Sequence, residues 1–183
     1  DTYDPLEDQT VTVTTVDDDT SGYTLSSAAV TVAEAGSTDS FTVVLDSEPT
    51  ADVVFDISSA DTGEATVSPS TLTFTTANWD DAQTIVVAGV DDDGDDDDQD
   101  TTVTLSVNAA ATSDSLYDAL ADQAVTATTT DDDETGYTHE VTALIVDETG
   151  STDSFTVVLD SEPFSPVVIS VSSLDEGEVT VSP

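Results

Sequence analysis

The chain has 183 residues, of which 41 are Asp or Glu and none is Lys or Arg, so its formal net charge is −41. Without a basic side chain there is no catalytic lysine or arginine, no lysine isopeptide staple and nothing to hold a phosphate backbone, which excludes nucleic acid as a partner. Cysteine is absent too, which excludes disulfides, and no apolar run is long enough to insert in a membrane as a helix.

In chain order, residues 1–20 carry Tyr3, Asp4, Leu6, Asp8, Gln9 and the triplet Asp17, Asp18 and Asp19. The same letters return 114 residues later as Tyr117, Asp118, Leu120, Asp122, Gln123 and the triplet Asp131, Asp132 and Asp133. The run STDSFTVVLDSEP at Ser37–Pro49 recurs letter for letter at Ser151–Pro163, and Gly22-Tyr23-Thr24 maps onto Gly136-Tyr137-Thr138. Residues 1–20 therefore read as the C-terminal strand of a preceding repeat. Residues 21–134 read as one complete repeat, and residues 135–183 as the N-terminal half of a following one. With no initiator methionine, signal peptide or anchor, the chain is expected to be an internal window onto a longer tandem array.

Within the complete repeat, alternation of apolar and polar residues predicts seven strands. Strand A covers Tyr23–Ala33 with Val30 and Val32 inward, and strand B covers Ser40–Leu45 with Phe41, Val43 and Leu45 on one face. Strand C is Val53–Ser58, carrying Val53, Phe55 and Ile57. Strand D is Thr71–Thr75 with Leu72 and Phe74, and strand E is Thr84–Val90 with Ile85 and Val87. Strand F is Thr102–Val107 with Val103 and Leu105, and strand G is Ala124–Thr130 with Val125 and Ala127. Thr and Val favour strands, and 37% apolar residues suffice for a core. The fold class is all-β: tandem seven-stranded immunoglobulin-like β-sandwich repeats of about 114 residues.

Seven strands alternating in direction place the A–B, C–D and E–F loops and the end of strand G at one pole. The A–B loop brings Glu34, the C–D loop Asp61 and Glu64, and strand G ends in Asp131, Asp132 and Asp133. The E–F loop reads DDDGDDDDQD from Asp91 to Asp100, eight aspartates in ten residues. At the opposite pole the acids are sparser: Asp46, Glu48, Asp80 and Asp81. Two carboxylates 5 Å apart repel by about 0.8 kcal/mol even in bulk water, so the crowded pole requires a countercharge from solution. Hard cations such as Ca²⁺ take six to eight oxygen ligands from carboxylates and carbonyls, and several such ions per repeat are expected. The alternative is a solvated acidic pole that confers solubility or salt tolerance.

The segments VTVAEAG (Val30–Gly36), STLTFTTANW (Ser70–Trp79) and TIVVAGVDDDGDDDDQD (Thr84–Asp100), with the closing Asp131–Asp133, resemble the Calx-beta family of secreted and surface proteins. The resemblance implies calcium bound by a V-x-E strand end, an acidic E–F loop and a terminal acidic triplet. Carried over to this chain, these are Glu34, Asp91, Asp92, Asp93, Asp98, Asp100, Asp131, Asp132 and Asp133. The family's G-x-D-Y segment before strand D is missing, and Asp61 and Glu64 stand in its region. The same elements of the flanking repeats add Asp17, Asp18 and Asp19 on one side and Glu148 on the other.

Other chemistries find no support in the residues. Placing Gly94 at the sixth position of an EF-hand loop puts Gly89 where the first acid belongs. The one histidine, His139, replaces Leu25 of the complete repeat and reads as a surface or core residue. Trp79 reads as a cap on the core. No nucleophile–base pair is present, so an enzyme is not expected. The leading expectation is a structural calcium-binding repeat of an extracellular fibre, matrix protein or adhesin stalk, secreted or at the cell surface. Its partners would be neighbouring repeats or identical subunits in a linear assembly, with Ca²⁺ rigidifying the acidic junctions. The alternative is a carbohydrate- or protein-binding module of a large surface adhesin, with a glycan or a surface protein as the partner.

Overall fold

The computed structural model describes residues 9–182, and Tyr3, Asp4, Leu6 and Asp8 of the first matched segment lie outside them. All regular structure among the described residues is strand. One sheet holds β1 (Tyr23–Leu25), β3 (Thr38–Leu45), β7 (Gln83–Gly89) and β5 (Ala65–Ser68), in the order β1-β3-β7-β5. The facing sheet orders β2 (Ala29–Ala33), β9 (Gln123–Thr130), β8 (Gln99–Val107), β4 (Val53–Ser59) and β6 (Thr71–Phe74) as β2-β9-β8-β4-β6. The molecule is an immunoglobulin-like β-sandwich, and the inward residues expected from alternation form its core. Phe41, Val43, Val53, Phe55, Phe74, Ile85, Val87, Val103, Leu105, Val125 and Ala127 are all buried. Phe55 meets Tyr23 and Phe74 edge to face, with ring centroids 4.8 and 5.9 Å away. Trp79 packs against this core.

Nine strands build the sandwich where seven were expected, because strand A is shared between the sheets and strand D is preceded by β5, which alternation did not predict. Strand A pairs with β3 through Tyr23–Leu25 and then crosses over to pair in parallel with β9 through Ala29–Ala33. Serine hydroxyls fill the broken ladder at the crossing: Ser26 Oγ accepts the Thr42 N–H at 2.8 Å, and Ser27 Oγ accepts the Ala29 N–H at 3.2 Å. β5 pairs with β7, and strand D follows as β6 on β4. Pro69 stands between the two and has no N–H to carry the first ladder onward. Two tyrosines pin the lower loops. Tyr23 donates its hydroxyl to the carbonyls of Leu105 and Ala121, and Tyr117 donates to the Ser47 carbonyl at 2.7 Å.

The register decides what meets at the upper pole. Parallel pairing sets Ala33 opposite Thr130, so Glu34 emerges next to Asp131, and its N–H bonds the Thr130 carbonyl at 3.2 Å. Pairing of Ala65 with Gly89 brings Glu64 to the start of the acidic loop, where its carbonyl accepts the Val90 N–H at 2.9 Å. Gly89 has a packing role here, since a Cβ on it would overlap the Ala33 carbonyl. The turn that returns Glu34 to β3 uses Gly36 at φ 87°, a conformation that glycine alone adopts without strain.

After the sandwich, β10 (Tyr137–His139) pairs with β11 (Val157–Leu159) in the register of β1 with β3: Tyr137 faces Leu159 as Tyr23 faces Leu45. The apolar residues of this segment that match core positions of the sandwich, such as Leu144 and Val167, are exposed, because among the described residues nothing corresponding to β6–β9 covers them. Residues 9–16, which match β9, form no strand and are exposed, since a strand needs neighbours to supply its ladder bonds.

Candidate metal centre

Two groups of carboxylates converge at the acidic pole. Glu34, Asp131 and Asp133 form the first and Glu64, Asp92 and Asp96 the second, and in each group one oxygen from every residue lies within 4.8 Å of the others. Calcium–oxygen distances of about 2.3–2.6 Å allow ligands on opposite sides of one ion to stand about that far apart. All the donors are oxygens, which suits a hard cation and not zinc or copper. Three carboxylates would supply part of such a shell, and backbone carbonyls and water the rest.

Glu34 carries the clearest signal. It is 1% exposed, and its Oε2 has no hydrogen-bond partner. Burial, and then the charges of Asp92, Asp131, Asp96 and Glu64, push its carboxyl up to about 7. In the second group Glu64 Oε2 and Asp96 Oδ1 are likewise buried without partners. Burial first, then Asp96 and Asp61, raise Glu64 above the usual carboxylate range. A buried carboxylate with neither base nor donor is costly, and a divalent cation held by each group would relieve that cost.

Asp131 organises the pole as well as lining it. Its Oδ2 accepts the N–H groups of Asp96 at 3.0 Å and Asp97 at 2.9 Å, and its Oδ1 accepts that of Asp133 at 2.8 Å. These bonds, led by the one from Asp133, hold its carboxyl below the ordinary value. Asp98 closes the loop from the other side, its Oδ1 accepting the Asp131 N–H at 3.2 Å. Asp97 takes a left-handed φ of 63°, which turns the loop back on itself. An open cleft of about 430 Å³ results, lined by Asp95, Asp97, Asp98, Asp131 and Asp133. Asp133 is raised by burial and by Asp131 and Asp132.

Of the residues singled out from sequence, Glu34, Glu64, Asp92, Asp131 and Asp133 belong to the two groups, and Asp98 lines the cleft. Asp61 does not join them; its Oδ1 closes a local turn by accepting the Gly63 N–H at 2.9 Å. Asp91, Asp93 and Asp132 are exposed and outside both groups. Asp100 falls on the outer face of β8, where it accepts the Thr128 hydroxyl at 2.6 Å, because the strand starts at Gln99 and the neighbouring Thr101 points inward. Asp17, Asp18 and Asp19 are exposed and belong to no group, though Asp17 Oδ1 accepts the Asp19 N–H at 3.1 Å as Asp131 does for Asp133. Glu148 is exposed as well, with no acidic loop or closing triplet of its own repeat near it. Asp96, Asp95 and Asp97 were not singled out; no spacing rule ranks the letters of an unbroken aspartate run. His139 is exposed, with Nδ1 3.0 Å from the Val141 carbonyl.

The fold and this pole define the class: an immunoglobulin-like β-sandwich with a carboxylate-rich end built from four chain segments. No family model matches the chain, and no curated protein matches it. Among solved structures it is similar to SSP-19, an MSP-domain-like protein of Caenorhabditis elegans, at TM-score 0.40 and 18% identity over 59% of this chain and 99% of that one. It is also similar to the E. coli chaperone DraB, at TM-score 0.42 and 10% identity over 60% of this chain and 55% of that one. Domains 1–6 of the surface layer protein SbsC give TM-score 0.44 and 20% identity, over 83% of this chain but 19% of that one. Likeness at this level carries no ligand and no function over to this chain.

Proposed function

We propose that this chain is a calcium-binding structural repeat of an extracellular fibre, matrix protein or adhesin stalk, secreted or held at the cell surface, without enzymatic activity. Ca²⁺ neutralises the acidic pole and stiffens the junction with the next repeat in a linear assembly. The observation that carries this reading is the buried Glu34, whose unpartnered oxygen sits among Asp131 and Asp133 with no Lys or Arg anywhere in the chain. The meeting of the V-x-E glutamate with two members of the closing triplet also supports the Calx-beta resemblance. The joint lies at the same place: Thr135, two residues past Asp133, donates its N–H to Asp95 Oδ2 at 2.6 Å.

The test is thermal unfolding with calcium and with chelator at constant ionic strength. A ligand at a hundred times its dissociation constant adds about 2.7 kcal/mol per site. At about 4 °C per kcal/mol, each site raises Tm by roughly 10 °C. An unchanged Tm would mean that the pole is solvated and not ligated.

A further inference from the structure

The loop after β11 rests on the acidic loop of the complete repeat. The Glu162 N–H donates to the Asp93 carbonyl. Gly94, which is buried, lies against the edge of the Phe164 ring: a Cβ there would be 3.0 Å from Cζ and 3.4 Å from Cε1. Gly94 is itself held by Asp92, whose Oδ1 accepts its N–H at 2.8 Å. With Thr135 on Asp95, three consecutive residues of the acidic loop, Asp93, Gly94 and Asp95, are engaged by the chain beyond the sandwich.

The residue at this contact is the one where the two copies part. Thirteen residues are identical, Ser37–Pro49 and Ser151–Pro163, and the next is Thr50 in one and Phe164 in the other. Thr50 works within its own repeat: its N–H and hydroxyl both donate to Asp114 Oδ2, at 2.6 and 2.8 Å. Phe164 has no hydroxyl to give, and its ring edge turns instead to Gly94 of the preceding sandwich, leaving the rest of the ring open, at 79% exposure. The loop also carries Asp160 and Glu162 toward an aspartate run, so the approach is repulsive unless cations screen it.

We infer that Phe164 is the anchor of the inter-repeat joint, seated against Gly94 on the acidic loop, so that the order of this loop sets the angle at which the next repeat leaves. Its coupling to calcium rests on the function proposed above, while the seat itself does not. Because the chain has no cysteine, Ser70→Cys and Ser154→Cys place one spin label on the sandwich and one on the following segment, both at exposed positions. Pulsed dipolar spectroscopy of the 183-residue chain in calcium should give one narrow distance distribution. Phe164→Ala should broaden it roughly twofold, since a linker of a few residues without its anchor is a hinge. Gly94→Ala, which puts a methyl against the ring, should shift the mean. Equal widths for the parent and Phe164→Ala overturn the anchor. Calorimetry on the same samples keeps the two readings apart: absence of calcium binding defeats the cation reading, whereas the widths alone decide the anchor.

Discussion

Glu34→Gln should change the sign of its effect on stability when calcium is added. In the folded chain the carboxyl is raised from its ordinary value of 4.5 to about 7. An acid with a raised folded value binds more protons folded than unfolded between those two values, so stability is lost as pH rises through that window. At 1.36 kcal/mol per unit the cumulative loss above pH 7 is about 3 kcal/mol, an upper figure because relaxation of the pole reduces it. Glutamine keeps the shape and removes the charge, and its amide can donate to Asp131 or Asp133. In chelator at pH 8, Glu34→Gln should therefore melt several degrees above the parent, and at pH 4, below both values, that gap should close. In saturating calcium the order reverses, because the ion stabilises the ionised carboxylate and the variant loses that ligand. Differential scanning calorimetry at the two pH values, with calcium and with chelator, measures all four cases. A variant that melts lower by the same amount in calcium and in chelator at pH 8 would refute the reasoning, since it would make Glu34 an ordinary packed residue.

Replacing Asp131, Asp132 and Asp133 together by Asn should abolish at least one calorimetric calcium site, whereas Asp80→Asn with Asp81→Asn at the far pole should leave the stoichiometry intact; equal losses would contradict a one-pole assignment. Gly89→Ala should cost about 1–3 kcal/mol by overpacking and should also weaken calcium binding, because the Ala33 carbonyl it displaces leads directly into Glu34; normal binding in a destabilised variant would separate the two effects and sink this link. Sodium chloride at 1 M, where the screening length is about 3 Å, should recover only part of the Tm lost to chelator; full recovery would mean that the pole needs screening and not ligation.

The sandwich was legible because its rules are short-range. Alternation alone names Phe41, Val43, Phe55, Phe74, Ile85 and Val103, and all of them are buried. Counting strand directions also puts Glu34, Glu64, the aspartate loop and Asp131 at one end. What alternation does not encode is the sheet to which a strand belongs. Ala65–Ser68 has a single large apolar side chain, Val67, and its pairing with β7 depends on a partner distant in sequence. The aspartate run fails for a different reason: identical letters differ only by backbone conformation. The left-handed turn at Asp97 and the amides gathered by Asp131 turn Asp96 inward and leave Asp91 and Asp93 outside. Asp100 was within reach of the same alternation rule, had strand F been started three residues earlier, at Gln99.

The missing lysines and arginines and the buried glutamate belong to one argument. A single basic side chain near Glu34 would satisfy its oxygen internally and fix the pole in one charge state. Monovalent salt acts on the exposed acids, such as Asp91, Asp93 and Asp132, through screening, but it has no directed bonds to offer a carboxylate that is 1% exposed. On the function proposed above, the two kinds of carboxylate would respond to different properties of the medium. The exposed ones would follow ionic strength, and the convergent ones the activity of a cation able to take oxygen ligands from several segments at once. Those segments are the turn after β2, the approach to β5, the loop before β8 and the end of β9. The last of them continues within two residues into Thr135, which Asp95 already holds. An ion bound at this pole, as proposed, would therefore act on the sandwich's own closure and on the departure of the next segment through the same few carboxylates.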